Sequence, residues 1–226
     1  MPFEILSINV GKPKNVFCDG MEITTGIYKK PVTTEVFLST LNFTGDGQAD
    51  LVHHGGVDKA VCVYPYEHYP YWETQLGQML EFAAFGENLT VKGMTEEKVH
   101  IGDIFQLGEA VVQISQPRQP CYKLAKRYNI VDLPLKVQQT GFTGFYFRVL
   151  QKGWVNPAST IQLLERHPAG ITVAFANQIM HHDKKNKEAI RKLLEIDELS
   201  ASWKKTLQKR LKGADTDPRK RLTGES

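Results

Sequence analysis

The apolar residues of this chain keep one rhythm over most of its length and then change it. Up to Leu164 they fall in short runs rich in β-branched and aromatic residues, cut every few positions by glycine or proline. After Arg166-His167-Pro168 they recur at helical spacing instead. Short strands are not stable as isolated hairpins; they need a sheet that closes on itself or packs on another. The pattern predicts a mainly β domain over residues 1–167, a barrel or a sandwich, followed by a helical unit.

Strands are expected at residues 3–10, at short segments within 22–34, at 36–43, 60–64 and 88–91, near the Gly102-Asp103 turn, and at 110–116, 141–150 and 161–164. Residues 65–80 read as a helix in which Tyr66, Tyr69 and Trp72 recur near helical spacing and pack in a core, with Pro70 tolerated only in the first turn, where backbone N–H groups have no partner. A further short helix fits 122–128. Beyond Pro168, three helices are expected over 172–181, 186–195 and 200–211, the last opened by Ser200 and stopped by Gly213. They form a three-helix subdomain over 168–213, and residues 214–226 are expected to be loosely ordered.

One segment concentrates chemistry. Gln116-Pro117-Arg118-Gln119-Pro120-Cys121-Tyr122-Lys123 follows directly on a strand. Its two prolines fix φ and remove two backbone donors, so the cysteine sits on a stiff turn. Arg118 and Lys123 favour a thiolate there. Cys121 is thus a candidate nucleophile or soft-metal ligand, against the plain reading of a free cysteine as a small buried hydrophobe. Cys62, within the apolar run 60–64, reads as core. Another stretch, Gly45 to Gly56 followed by Lys59, has glycines at both ends and can present N–H groups to an anion.

Charge and cysteine content narrow the partners. A net charge of +3 argues against general nucleic-acid binding and leaves room for a local phosphate pocket. The basic C-terminal helices mix Lys and Arg with Asp and Glu, as a solvated face does. No apolar run reaches membrane-spanning length, and the first residues have no secretory pattern. Three cysteines without framework spacing suit a reducing, cytoplasmic setting and cannot supply the usual four ligands of an iron–sulfur cluster. His181-His182-Asp183 reads as a polar helix end, since adjacent side chains on a helix diverge.

Four short motifs stand in a telling order: His54-Gly55-Gly56 with Asp58-Lys59-Ala60, then Phe85-Gly86-Glu87-Asn88-Leu89, then Gly102-Asp103, then the Arg118–Lys123 signature. In this order they resemble MOSC domains, named after the C-terminal domain of molybdenum cofactor sulfurase. With the helical tail they resemble the YiiM type, linked to resistance to 6-N-hydroxylaminopurine. The resemblance implies a closed β-barrel with peripheral helices, and molybdenum cofactor (molybdopterin) held through Cys121 as metal ligand and catalytic centre. It also implies that His54, Lys59, Arg118 and Lys123, with the N–H groups of Gly55 and Gly56, hold the pterin and its phosphate. Asn88 would bond the pterin, and Thr25 and Lys29 would extend that shell. Glu87 would either support its loop or touch ligand. The implied activity is reduction of N-hydroxylated compounds, such as N-hydroxylated purine bases, to amines, with electrons from an external flavoprotein or haem protein. A non-enzymatic cofactor or sulfur carrier built on Cys121 is the alternative.

Overall fold

The computed structural model describes residues 2–18, 20–51 and 55–224. Among the described residues twelve strands are formed: β1 (Phe3–Val10), β2 (Lys14–Cys18), β3 (Met21–Thr25), β4 (Lys30–Pro31), β5 (Val36–Leu38), β6 (Val61–Pro65), β7 (Leu89–Lys92), β8 (Ile104–Leu107), β9 (Ala110–Pro117), β10 (Phe145–Gln151), β11 (Gly153–Val155) and β12 (Thr160–Glu165). Seven of them close a mixed barrel in the order β12-β8-β9-β10-β6-β7-β1, with β1 pairing back onto β12. Neighbours are antiparallel except β6 and β7, which run parallel. A closed barrel removes the open sheet edges that short strands would otherwise expose.

Period-two alternation decides what faces the barrel interior. Val61 and Val63 of β6, Phe105 and Leu107 of β8, Val112 and Ile114 of β9, and Phe145 and Phe147 of β10 belong to one apolar core. The residues between them face outward. Tyr64 packs with Tyr69, Trp72, Phe85, Leu124, Leu133 and Val137 in a second cluster. Tyr69 and Trp72 come from α1 (Tyr69–Leu76), where Pro70 does lie in the first turn. The other two contributing helices are α2 (Tyr122–Tyr128) and α3 (Leu133–Thr140).

The C-terminal helices α4 (Val173–His181), α5 (Lys187–Leu194) and α6 (Ala201–Leu211) are capped by the side chains of Thr172, Asn186 and Ser200, each accepting from a backbone N–H three residues on. Val173, Ala176, Ile179, Ile190, Leu193, Trp203 and Leu207 join the barrel core without a break. The expected polar end at His181 is buried. Desolvation, with the charges of Arg221 and other neighbours, pushes its imidazole down to about 3, so it is neutral. Within 214–226, expected to be loosely ordered, a further helix forms: α7 (Arg219–Thr223). No helix among the described residues is long and apolar enough to cross a membrane.

Candidate functional site

Two outward residues of the adjacent strands β6 and β10, Cys62 and Tyr146, make the floor of a cleft. Tyr146 on β10 pairs in register with Cys62 on β6 and with Gln116 on β9. Across this floor the cleft is lined by Thr25, Lys29, Lys59, Asn88, Arg118, Cys121 and Lys123, brought in from separate segments. It encloses about 580 Å³ of empty space when the open solvent at its mouth is included.

β9 delivers the chain to the stiff turn. Arg118 N–H donates to the Gly144 carbonyl at 3.0 Å. Gly144 holds φ +68, and a Cβ there would stand 2.3 Å from the Val63 carbonyl oxygen, so only glycine lets the two segments approach this closely. The Arg118 side chain is 7% exposed. Its Nη2 donates to the Phe85 carbonyl at 2.7 Å, while Nη1 has no hydrogen-bond partner among the described residues. Burial works to discharge this guanidinium, but Cys62, Tyr146 and Cys121 around it outweigh burial and raise its pKa. Cys121 follows with extended backbone (φ −132) at the start of α2, buried yet lining the cleft.

A second cation in the cleft is differently placed. Lys29 forms an ion pair with Asp46, both side chains nearly inaccessible. Asp46 also accepts from Gly11 N–H at 3.0 Å and from Asn88 Nδ2 at 2.8 Å. Asn88 in turn donates to the Asn9 carbonyl and accepts from the Cys62 N–H at 3.0 Å. Lys29 is therefore not a plain surface lysine, and the Asn88 amide ties β6, β1 and the Asp46 loop together at the cleft wall. Thr25, fully inside, accepts from Ile27 N–H. Lys59 sits on a short 3₁₀ turn, Val57–Lys59; burial lowers its pKa against the opposing pull of Asp58 and Asp50. Lys123 lines the mouth from α2.

Gly55 and Gly56 precede the Lys59 turn and are not among the residues lining the cleft. His54 lies outside the described residues. Glu87 faces away from the cleft chemistry: its carboxylate accepts from the Tyr69 hydroxyl at 2.5 Å, the Thr90 hydroxyl at 2.9 Å and the Phe85 N–H at 2.9 Å. It supports its loop.

Sequence reading missed three lining or supporting groups. Cys62 was expected in the core; it belongs to the outer face of β6, because its neighbours Val61 and Val63 take the inner one. Burial pushes its thiol up to about 11 in spite of Arg118, so it stays protonated. Tyr146 alternates with Phe145 and Phe147 in the same way. Strict period-two bookkeeping would have found both. Asp46, between two glycines, carried a weaker signal.

The donor set suits an anionic ligand with a soft centre. Two thiols, Cys62 and Cys121, an open guanidinium nitrogen and the lysines Lys59 and Lys123 line the cleft, with Cys121 held on the stiff turn. No group of three or more His, Cys, Asp or Glu among the described residues could hold a bare metal ion, so a metal here would bring most of its own ligands and take one from Cys121.

Residues 50–162 match the family model described as MOSC domain, and residues 171–214 match that described as YiiM-like, 3-alpha helix domain. The chain is 58% identical over 208 residues to a Bacillus subtilis protein named Uncharacterized protein YflK, covering 92% of this chain and 94% of that one. It is 40% identical to Protein YiiM of Escherichia coli, covering 89% and 91%. It is also 37% identical to a longer Gibberella moniliformis protein named Reductase, covering 73% of this chain and 30% of that one. Among solved structures, that of YiiM from Geobacillus stearothermophilus superposes with a TM-score of 0.80 at 44% identity, covering 93% and 100%.

Proposed function

The chain belongs to the MOSC domain family, in its YiiM-like branch, and from that premise we propose that it is a molybdenum-cofactor-dependent reductase of N-hydroxylated compounds. The observation that carries this reading is the pairing of the cleft thiol on the stiff turn, Cys121, with a buried guanidinium whose Nη1 has no partner among the described residues. A buried donor left open costs about 1–3 kcal/mol, and an anionic group of the cofactor placed there removes that cost. Soft thiolate ligation by Cys121 suits the metal. When bound, the cofactor supplies a metal centre that takes up and releases two electrons.

The chain's own residues bind and orient. Cys121 fixes the metal end. Arg118, Lys59 and Lys123, which line the cleft, would clamp phosphate and pterin oxygens. Lys29 and Thr25 shape the remaining wall, Lys29 held in place by Asp46 and Asn88. The net reaction joins R–NHOH, two electrons and two protons to give R–NH₂ and water. N-hydroxylated purine bases are the substrate class, and a flavoprotein or haem protein is the electron donor. The name of the longer relative, Reductase, is in keeping with this chemistry.

The test is elemental analysis of protein expressed in a cofactor-competent host, joined to a reduction assay on an N-hydroxylated base with a chemical electron donor. We expect roughly one molybdenum per chain and amine formation, and loss of both in Cys121→Ser. Protein that lacks molybdenum, or a Cys121→Ser variant that retains it, overturns the reading. Metal without turnover would favour a cofactor carrier.

A further inference from the structure

Residues 214–226 were expected to be loosely ordered, and α7 lies beyond both family matches, which end at residues 162 and 214. Yet α7 and the glycine that ends it touch the cysteine turn at two places and α3 at a third. Arg221 Nη1 donates to the Pro120 carbonyl, the peptide that leads into Cys121. Its Nη2 donates to Gln138 Oε1 at 2.8 Å, on α3. Gly224 lies flat against Tyr122, the residue after Cys121: a Cβ at Gly224 would stand 2.9 Å from that ring. Gln138 and Cys121 are both buried. Arg221 thus bridges the cysteine turn and α3 with two forks of one planar group, which a lysine cannot reproduce. The guanidinium, bonded to the carbonyl of the peptide that leads into Cys121, also sets a cation close to that residue.

We infer that Arg221 is a positioning residue of the cleft: α7 is a strap that fixes the Pro120–Cys121 peptide and, through its bond to the Pro120 carbonyl, sets a second cation next to Cys121, favouring anionic ligands there. The inference shares with the proposed function only the premise that Cys121 is the binding sulfur. α7 places no residue in the buried core, so its loss leaves both apolar clusters intact.

The test needs no cofactor. Cys121 of the intact chain is alkylated at one fixed pH by neutral iodoacetamide and by anionic iodoacetate, and modification is read on the peptide carrying Cys121. Thiolate fraction affects both reagents alike, so their rate ratio reports the local potential. At low salt the iodoacetate preference should fall about fivefold in Arg221→Met, and equally in a chain ended after Gly213. Arg221→Lys should keep most of the preference but quicken amide exchange at Leu124, whose N–H bonds the Cys121 carbonyl. An unchanged ratio in both Arg221→Met and the shortened chain, with wild-type melting temperature, overturns the inference. A fall in the ratio in a protein that never binds molybdenum would sink the proposed function and leave Arg221 in its role.

Discussion

Two charged groups are buried on either side of the 85–89 loop, and they are treated in opposite ways. Glu87 is fully buried and receives three hydrogen bonds from Tyr69, Thr90 and Phe85. Arg118 is almost as buried and reaches the same loop through the Phe85 carbonyl, but its Nη1 has no partner among the described residues. Desolvating a charge is costly unless hydrogen bonds replace water. Around Glu87 the fold itself makes that replacement. Around Arg118 it stops one bond short, at the wall of a cleft that also holds Cys121. A closed network marks a structural charge, and an open one marks a place where a ligand completes the fold.

The sharpest way to break this contrast is at Glu87. Glu87→Ala strands the Tyr69 and Thr90 hydroxyls and the Phe85 N–H inside the second apolar cluster. The expected loss is about 4 kcal/mol, a melting-point drop on the order of 10 °C for a chain of this size. Thermal unfolding followed by circular dichroism measures it. A drop below about 1 kcal/mol would mean that the network is not what holds the loop.

Much of the fold was legible because it rests on local chemistry. Thr172, Asn186 and Ser200 open their helices by capping, and a cap needs only three residues of context. Glycine and proline located most strand ends. What was not legible depends on pairs far apart in sequence. α3 carries β-branched and threonine residues with a proline in its first turn, and it is fixed by burial of Leu133 and Val137 in the second cluster. The Lys29–Asp46 pair and the Arg221–Pro120 contact join segments that no periodicity links. In the site, Cys121, Arg118 and the lysines were readable from composition of one loop and from resemblance, whereas Cys62 was lost by reading the whole apolar run of β6 as core when its outward residue lines the cleft.

Cys62 offers the next test, smaller in size. Its thiol is raised to about 11 by burial, above an ordinary value near 8.5 in the unfolded chain. The folded state therefore holds its proton more tightly. That contribution is fully present below the unfolded pKa and fades as pH rises through 9 toward 11, by roughly 3 kcal/mol at most. Cys62→Val removes the titrating group, so its stability should decline less steeply with pH in that window, as urea titrations at several pH values would reveal. An identical decline in both proteins would show that Cys62 does not contribute.

The smallest effect on stability should come from the group with the largest expected effect on binding. Arg118→Met removes a buried cation that the described fold leaves incompletely bonded, at the loss of the Phe85 carbonyl contact, and its methylene stem is replaced by an apolar one. These terms oppose each other, so stability should change by no more than about 1 kcal/mol in either direction. Molybdenum content should nevertheless fall at least about tenfold, since one charge-assisted contact contributes roughly 1.5–3 kcal/mol. Measured side by side, Glu87→Ala should unfold easily and Arg118→Met should fold normally and arrive without its metal. If Arg118→Met lost stability on the scale of Glu87→Ala while its folded fraction kept full metal, Arg118 would be a structural charge like Glu87, and the open nitrogen would not mark a ligand site.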